Sequence, residues 1–214
     1  MYISDYVFCI AVVNPQGVNL LGTAFMVANN KVVTARHVIS GVSGNIVIIP
    51  PTDNNISEYQ DTSNKRVNFY PVKLIEEDPI NDLCILESVD VFTYNPIKIS
   101  SFDEVNVGEQ LGIIGYPHCN EGRLVQTLHH GLLGAKVLLE SSGLKSKHGI
   151  INQQTRPGQS GSPVFSLKNN DVVGILIGAY SGATNVTIRL NNINPSDLHQ
   201  TTHCLSAEYI KEML

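Results

Sequence analysis

No run in this 214-residue chain approaches the ~18 consecutive apolar residues of a transmembrane helix, so a membrane partner is not expected. Met1-Tyr2-Ile3-Ser4-Asp5 carries no positive region, and the apolar stretch that follows is short and strand-like, so no export signal is read there. Charge is scarce: charged residues make up 15% of the chain, with 14 Lys and Arg against 19 Asp and Glu. A net charge of −5 supplies no basic footprint for nucleic acid. The four cysteines, Cys9, Cys84, Cys119 and Cys204, form no C-x-x-C pair. Three of them sit in apolar runs, where a free thiol is a common small hydrophobe. Without an export signal, reduced thiols and a cytoplasmic protein are expected. His118, Cys119, His129 and His130 match no ligand spacing with a stated mechanism, so neither metal nor cofactor is expected. Repeats and low-complexity tracts are absent from the sequence.

Hydrophobic residues, by contrast, reach 43%, enough for a sizeable core, and 17 glycines and ten prolines suit many strands and tight turns. Strands are predicted at 6–13, 20–28, 31–34, 44–51 and 67–75, with an Asn/Asp/Ser-rich loop at 52–66. An acidic turn at 76–82 runs straight into the apolar strand Leu83–Leu86. Residues 89–106 read as a connection, dividing the chain into residues 1–100 and 101–214. The second half predicts strands at 108–114, 123–128, 132–139 and 149–152, with a loop at 141–148. A hairpin of Ser162–Leu167 and Val172–Gly178 follows, then strands at 184–190 and 203–206. One helix is expected, Ala207–Leu214, with Ser206 as its N-cap.

Chemistry concentrates at Arg156-Pro157-Gly158-Gln159-Ser160-Gly161-Ser162-Pro163-Val164-Phe165. Glycine before Ser160 lets the backbone fold so that amide N–H groups converge on one point. Amides aimed at one point beside a hydroxyl are what acyl transfer needs, because charge develops there on a carbonyl oxygen. The same composition also suits an ordinary polar turn. A histidine and a carboxylate in matching settings decide between the two. His37 stands at a strand end, where it can point across a cleft. Asp82 abuts a buried strand, whereas Asp78 precedes a proline and fits a solvated turn, so Asp82 is the better orienter of an imidazole.

Together the stretches Gly22-Thr23-Ala24-Phe25, Val33-Thr34-Ala35-Arg36-His37-Val38, Asp82-Leu83-Cys84-Ile85-Leu86 and Pro157–Val164 resemble the trypsin-like serine peptidase family. The order His, Asp, Ser is similar to that of the chymotrypsin arrangement. Ile114-Gly115-Tyr116-Pro117, Val172-Val173-Gly174-Ile175 and Leu205–Ile210 resemble the bacterial HtrA-type peptidase domain, and the serine run is also similar to bacterial glutamyl endopeptidases. The resemblance implies an all-β fold of two perpendicular six-stranded antiparallel β-barrels with a short C-terminal helix. It implies a serine endopeptidase acting on protein or peptide substrates. His37, Asp82 and Ser160 would be catalytic, and the N–H groups of Gly158 and Ser160 would form the oxyanion hole. Gln154 and Thr155 on one side, with Leu176, Ile177, Gly178 and Ala179 on the other, would line the substrate pocket. Those segments hold no Asp or Glu, which predicts preference for small or medium aliphatic residues.

Two departures from the family pattern bear on function. Gln159 stands where digestive enzymes carry an aspartate, so activation through a new N-terminus is not expected. Ser162 replaces the second glycine of the commoner Gly-x-Ser-Gly-Gly pattern. An intracellular protease without a pro-segment needs restraint, which predicts a regulatory protein partner or a disordered active-site loop. The competing reading is a catalytically silent protease fold used as a binding or regulatory module.

Overall fold

Among the described residues the strands form two closed antiparallel barrels of six strands each. The computed structural model describes residues 3–51, 56–64, 66–90, 97–180 and 201–214. The first barrel comprises β1 (Val7–Asn14), β2 (Gly17–Ala28), β3 (Lys31–Ala35), β4 (Asn45–Ile49), β5 (Tyr70–Asp78) and β6 (Leu83–Ser88). Around it the strands follow the order β1-β2-β3-β6-β5-β4. The second comprises β7 (Gln110–Gly115), β8 (Thr127–Ser141), β9 (Leu144–Ile151), β10 (Pro163–Ser166), β11 (Val172–Tyr180) and β12 (Thr201–Ser206), in the order β10-β11-β12-β9-β8-β7. Among the described residues the α-helices are single turns, α1 (Arg36–Ile39) and α2 (Glu208–Lys211), and none is long and apolar enough to cross a membrane.

β1 shows why the apolar runs are continuous rather than alternating. Val7, Cys9 and Ala11 pack with Phe25, Val33 and Leu83, while Phe8 and Ile10 pack on the other face with Met26, Val32 and Leu86. Each such fully buried Phe or Leu contributes ~1.5–3 kcal/mol. The first cluster continues through Tyr116 and Cys119 to Phe165 and Ile175, joining the two barrels by apolar contact. The segment between barrels is laid against the second one. Val172 N–H donates to the Lys98 carbonyl at 2.9 Å, and Ser100 N–H donates to the Val172 carbonyl at 2.7 Å.

Three expectations need correcting. The strands expected at 123–128 and 132–139 are one strand, β8, beginning only at Thr127. The loop expected at 141–148 is mostly β9: Ser141 pairs with Leu144 across a two-residue turn, where Ser142 and Gly143 have φ of 52° and 81°. Paired positive φ values match the twist of a tight hairpin. Third, Ser206 does not cap the final helix. It lies in β12, its Oγ accepts a hydrogen bond from Phe102 N–H at 3.2 Å, and α2 begins after Ala207 without a side-chain cap. The strand expected at 184–190 lies outside the described residues.

Candidate active site

β3 ends at Ala35 and the chain turns at once into α1, which lifts His37 to the surface. A helix start leaves backbone N–H groups without intrahelical partners, and here Asp82 supplies acceptors from the turn between β5 and β6. Its carbonyl accepts from Arg36 N–H at 2.8 Å, and its Oδ1 accepts from His37 N–H at 2.9 Å. Oδ2 meets His37 Nδ1 at 2.5 Å. An ionised carboxylate there places the imidazole proton on Nδ1 and leaves Nε2 with a free lone pair. Asp82 sits at φ 56°, a left-handed conformation that Asp tolerates better than most residues. The pair is only partly buried, with side-chain exposures of 47% for His37 and 32% for Asp82. Asp78 takes a different role. Its Oδ1 accepts from the N–H groups of Ile80 and Asn81 at 2.9 and 3.1 Å, shaping the turn that presents Asp82. Behind the pair, Cys84 is buried, and burial with the nearby Asp82 and Glu77 charges pushes its thiol up to about 12.

Ser160 sits in a turn bounded by two left-handed glycines, Gly158 at φ 91° and Gly161 at φ 87°. Neither accepts a larger side chain: a Cβ on Gly161 would stand 1.9 Å from the Thr23 carbonyl oxygen, and one on Gly158 2.5 Å from that of Tyr116. The turn is closed by Gln159 N–H on the Arg156 carbonyl at 3.1 Å and by Ser162 N–H on the Gln159 carbonyl at 3.0 Å. The buried Gln159 side chain folds back, its Oε1 accepting from Arg156 N–H at 2.7 Å. In a trans peptide the C=O and N–H point opposite ways. The Pro157 carbonyl accepts from His118 N–H at 2.7 Å, which turns Gly158 N–H away from the protein body. The Gln159 carbonyl is likewise taken, by Ser162, and Ser160 N–H faces the other way. Among the described residues neither Gly158 N–H nor Ser160 N–H has an acceptor, and no hydrogen bond joins the Ser160 hydroxyl to His37.

The two halves of the site meet at β2. Thr23 N–H donates to the Ser160 carbonyl at 3.0 Å. A Cβ on Gly22 would stand 2.8 Å from Val38 Cγ1 and 3.2 Å from the Ser160 carbonyl oxygen. Val38 follows His37 in α1, so the helix that carries His37 and the serine turn flank the same glycine. Gly161 N–H donates to the Leu176 carbonyl at 2.7 Å, fixing the turn to β11 as well.

Of the expected pocket residues, Thr155 is buried and Gln154, Ile177 and Gly178 are half-buried. Leu176 packs in the second barrel's core with Phe102, Leu111 and Ile151, so its side chain faces inward. The side chain of Ala179 lies outside the described residues. Sequence reasoning passed over Thr202, whose Oγ1 donates to the Gln153 carbonyl at 2.5 Å and lies 3.3 Å from Thr155 Oγ1, tying β12 to the segment before the serine turn. Among the described residues no cluster of three or more His, Cys, Asp or Glu could hold a metal ion. His129 bonds to Thr127 and His118 to Glu121.

The trypsin-like peptidase domain family matches residues 22–175. Glutamyl endopeptidase of Staphylococcus epidermidis is 26% identical over 187 residues, spanning 83% of this chain and 61% of that protein. The chain therefore spans about three fifths of the length of the curated relatives it matches. Among solved structures, the active form of the Rv3671c protease from M. tuberculosis superposes with a TM-score of 0.71 at 20% identity, over 99% of this chain and 80% of that one. The HtrA-type protease AlgW with a decapeptide gives 0.70 at 15% identity, over 98% of this chain and 63% of that one. At these identities the structural likeness speaks for the fold, which is the chymotrypsin-like pair of barrels.

Proposed function

The chain belongs to the trypsin-like peptidase family, and from that premise we propose that it is a serine endopeptidase working through His37, Asp82 and Ser160. The observation that carries the reading is the Asp82 carboxylate on His37 Nδ1 at 2.5 Å, with the serine turn held beside the same helix by Gly22 and Thr23. Ser160 Oγ attacks the scissile carbonyl carbon while His37 Nε2 takes its proton, since a hydroxyl is a poor nucleophile until a base assists it. The tetrahedral oxyanion is received by the free N–H groups of Gly158 and Ser160. His37 then gives the proton to the departing amine nitrogen, the C–N bond breaks, and an acyl-enzyme remains. Water, activated by the same histidine, releases the carboxylic acid and restores Ser160. Asp82 holds the imidazole tautomer and stabilises the imidazolium.

The substrate reading rests on the segments flanking the turn, 153–156 and Leu176–Gly178, which hold no carboxylate for an Arg or Lys side chain. Small and medium aliphatic residues before the cut bond suit that lining, with discrimination of ~1–3 kcal/mol per methylene. Cleavage after glutamate, as the name of the S. epidermidis relative describes, would require a cation there, and Arg156 is the one within those segments. Four free, buried thiols support the reading of a reducing compartment.

A fluorophosphonate probe tests the proposal. Wild-type protein should be labelled at Ser160 and should digest casein, and Ser160→Ala should lose both, the rate falling on the order of 10⁶. A wild-type chain that is folded yet neither labelled nor active would instead be the silent binding module.

A further inference from the structure

One side chain outside the proposed triad is bonded to the catalytic turn and to both barrels at once. Thr23 Oγ1 donates to the Gly158 carbonyl at 2.9 Å and accepts from Tyr116 N–H at 3.1 Å. Its N–H donates to the Ser160 carbonyl at 3.0 Å, and its carbonyl accepts from Thr34 Oγ1 at 2.7 Å. Thr23 belongs to the first barrel, whereas Gly158, Ser160 and Tyr116 belong to the second half of the chain.

The direction of these bonds is forced. A hydroxyl has one proton. With Tyr116 N–H supplying a donor to Oγ1, that proton goes to the Gly158 carbonyl. Gly158 lies between two peptide planes, and both are pinned. His118 N–H holds the Pro157 carbonyl of the plane before it, and Thr23 Oγ1 holds the Gly158 carbonyl of the plane after it. Glycine at φ 91° is intrinsically free to rotate between conformations. Rotation of the plane before Gly158 would replace the free N–H by a carbonyl oxygen, aiming a negative dipole where the oxyanion forms. The hydroxyl of Thr23, with the bond from Gln159 N–H to the Arg156 carbonyl, removes that freedom on one side of the glycine.

We infer that Thr23 is a positioning residue for the oxyanion hole: through the Gly158 carbonyl, its hydroxyl holds Gly158 N–H in the orientation that receives the developing negative charge. The inference rests on the endopeptidase reading above and adds to it a residue of the first barrel, which otherwise supplies only the base and its carboxylate. An oxyanion donor lost or misdirected costs on the order of 10²–10³ in kcat.

The test is acylation by p-nitrophenyl acetate in the pre-steady state, where the acylation rate constant and the ester's binding constant separate. The ester engages the nucleophile and oxyanion hole without a side-chain pocket. Thr23→Val, nearly isosteric but without the hydroxyl, should lose roughly 10- to 100-fold in the acylation rate constant, with ester binding within about twofold. Thr23→Ser should restore most of that rate. Should the valine variant fail to fold, Thr23→Ser against Thr23→Ala makes the same comparison. Acylation by a folded valine or alanine variant at the wild-type rate would overturn the inference, as would a serine variant that shares their defect. If the wild-type protein shows no Ser160-dependent acylation, the endopeptidase reading falls first, whatever Thr23 does.

Discussion

The Asp82 carboxylate grips His37 twice, with Oδ2 on the ring Nδ1 at 2.5 Å and Oδ1 on the backbone N–H at 2.9 Å. One side chain thus fixes both the tautomer of the imidazole and the helical turn that carries it. Asp82→Asn keeps the shape but offers an amide N–H toward Nδ1 and reverses the tautomer preference. Activity on casein should fall by about 10⁴, as for the corresponding change in other serine proteases.

Asp78→Asn tests the choice between the two aspartates. Among the described residues the Asp78 carboxylate bonds only within its own turn, to Ile80 and Asn81. Its replacement should cost about 1 kcal/mol in denaturant unfolding and leave activity within roughly tenfold. A larger loss of activity than that of Asp82→Asn would reverse the assignment.

Gly161→Ala should be far more damaging than its one added methyl suggests. The new Cβ would meet the Thr23 carbonyl oxygen at 1.9 Å and Thr34 Oγ1 at 2.4 Å, at a φ of 87°. Left-handed strain alone costs ~1–3 kcal/mol, and the barrels must also part at β2. A loss of about 3–5 kcal/mol is expected in urea unfolding, together with loss of turnover.

Acid should weaken the second barrel through His148. Burial, with the nearby His203, depresses its pKa to about 4, and its Nε2 is paired with Ser146 Oγ at 3.0 Å. The unfolded chain takes up a proton near pH ~6.5 that the folded chain refuses until about 4. This contribution is therefore complete above pH ~6.5 and is lost as pH falls through that window, on the order of 1–3 kcal/mol. Urea midpoints measured across the window should decline, and His148→Phe should flatten the decline.

Reductant should change nothing in the melting curve. All four cysteines are free and buried. Burial pushes the Cys9 and Cys204 thiols up, and the nearby Cys119 of the second half adds to the effect at Cys9. A melting temperature that drops on adding dithiothreitol would show a disulfide that this structure does not contain.

Much of this was legible in the sequence because strands buried on both faces announce themselves. Val7–Val13 and Leu83–Leu86 read as strands from composition alone. The β8–β9 hairpin was missed because its tip is exposed and Lys145-Ser146-Lys147 carries no apolar pattern to mark a strand, although Ser146 is buried. The only local signal was Ser142-Gly143, the pair that takes positive φ. Ser206 has the chemistry of a cap, but its hydroxyl is claimed by Phe102, 104 residues earlier. The three residues of the proposed triad stood out because each sits beside a distinctive local motif. Thr23 was quoted within one such motif, yet its role was hidden, since its hydroxyl partner, Gly158, lies 135 residues away.

On the endopeptidase reading, the bond from Thr23 N–H to the Ser160 carbonyl also bears on when a newly made chain can become active. Synthesis proceeds from the N-terminus, and a first domain generally folds before the next has emerged from the ribosome. The first barrel can close around His37 and Asp82 while the serine turn is still unmade. That turn, in its turn, needs β11 and β2 on either side of it before Ser160 is seated. On the endopeptidase reading neither nascent half carries all three proposed catalytic residues, so activity arrives only when the two barrels dock.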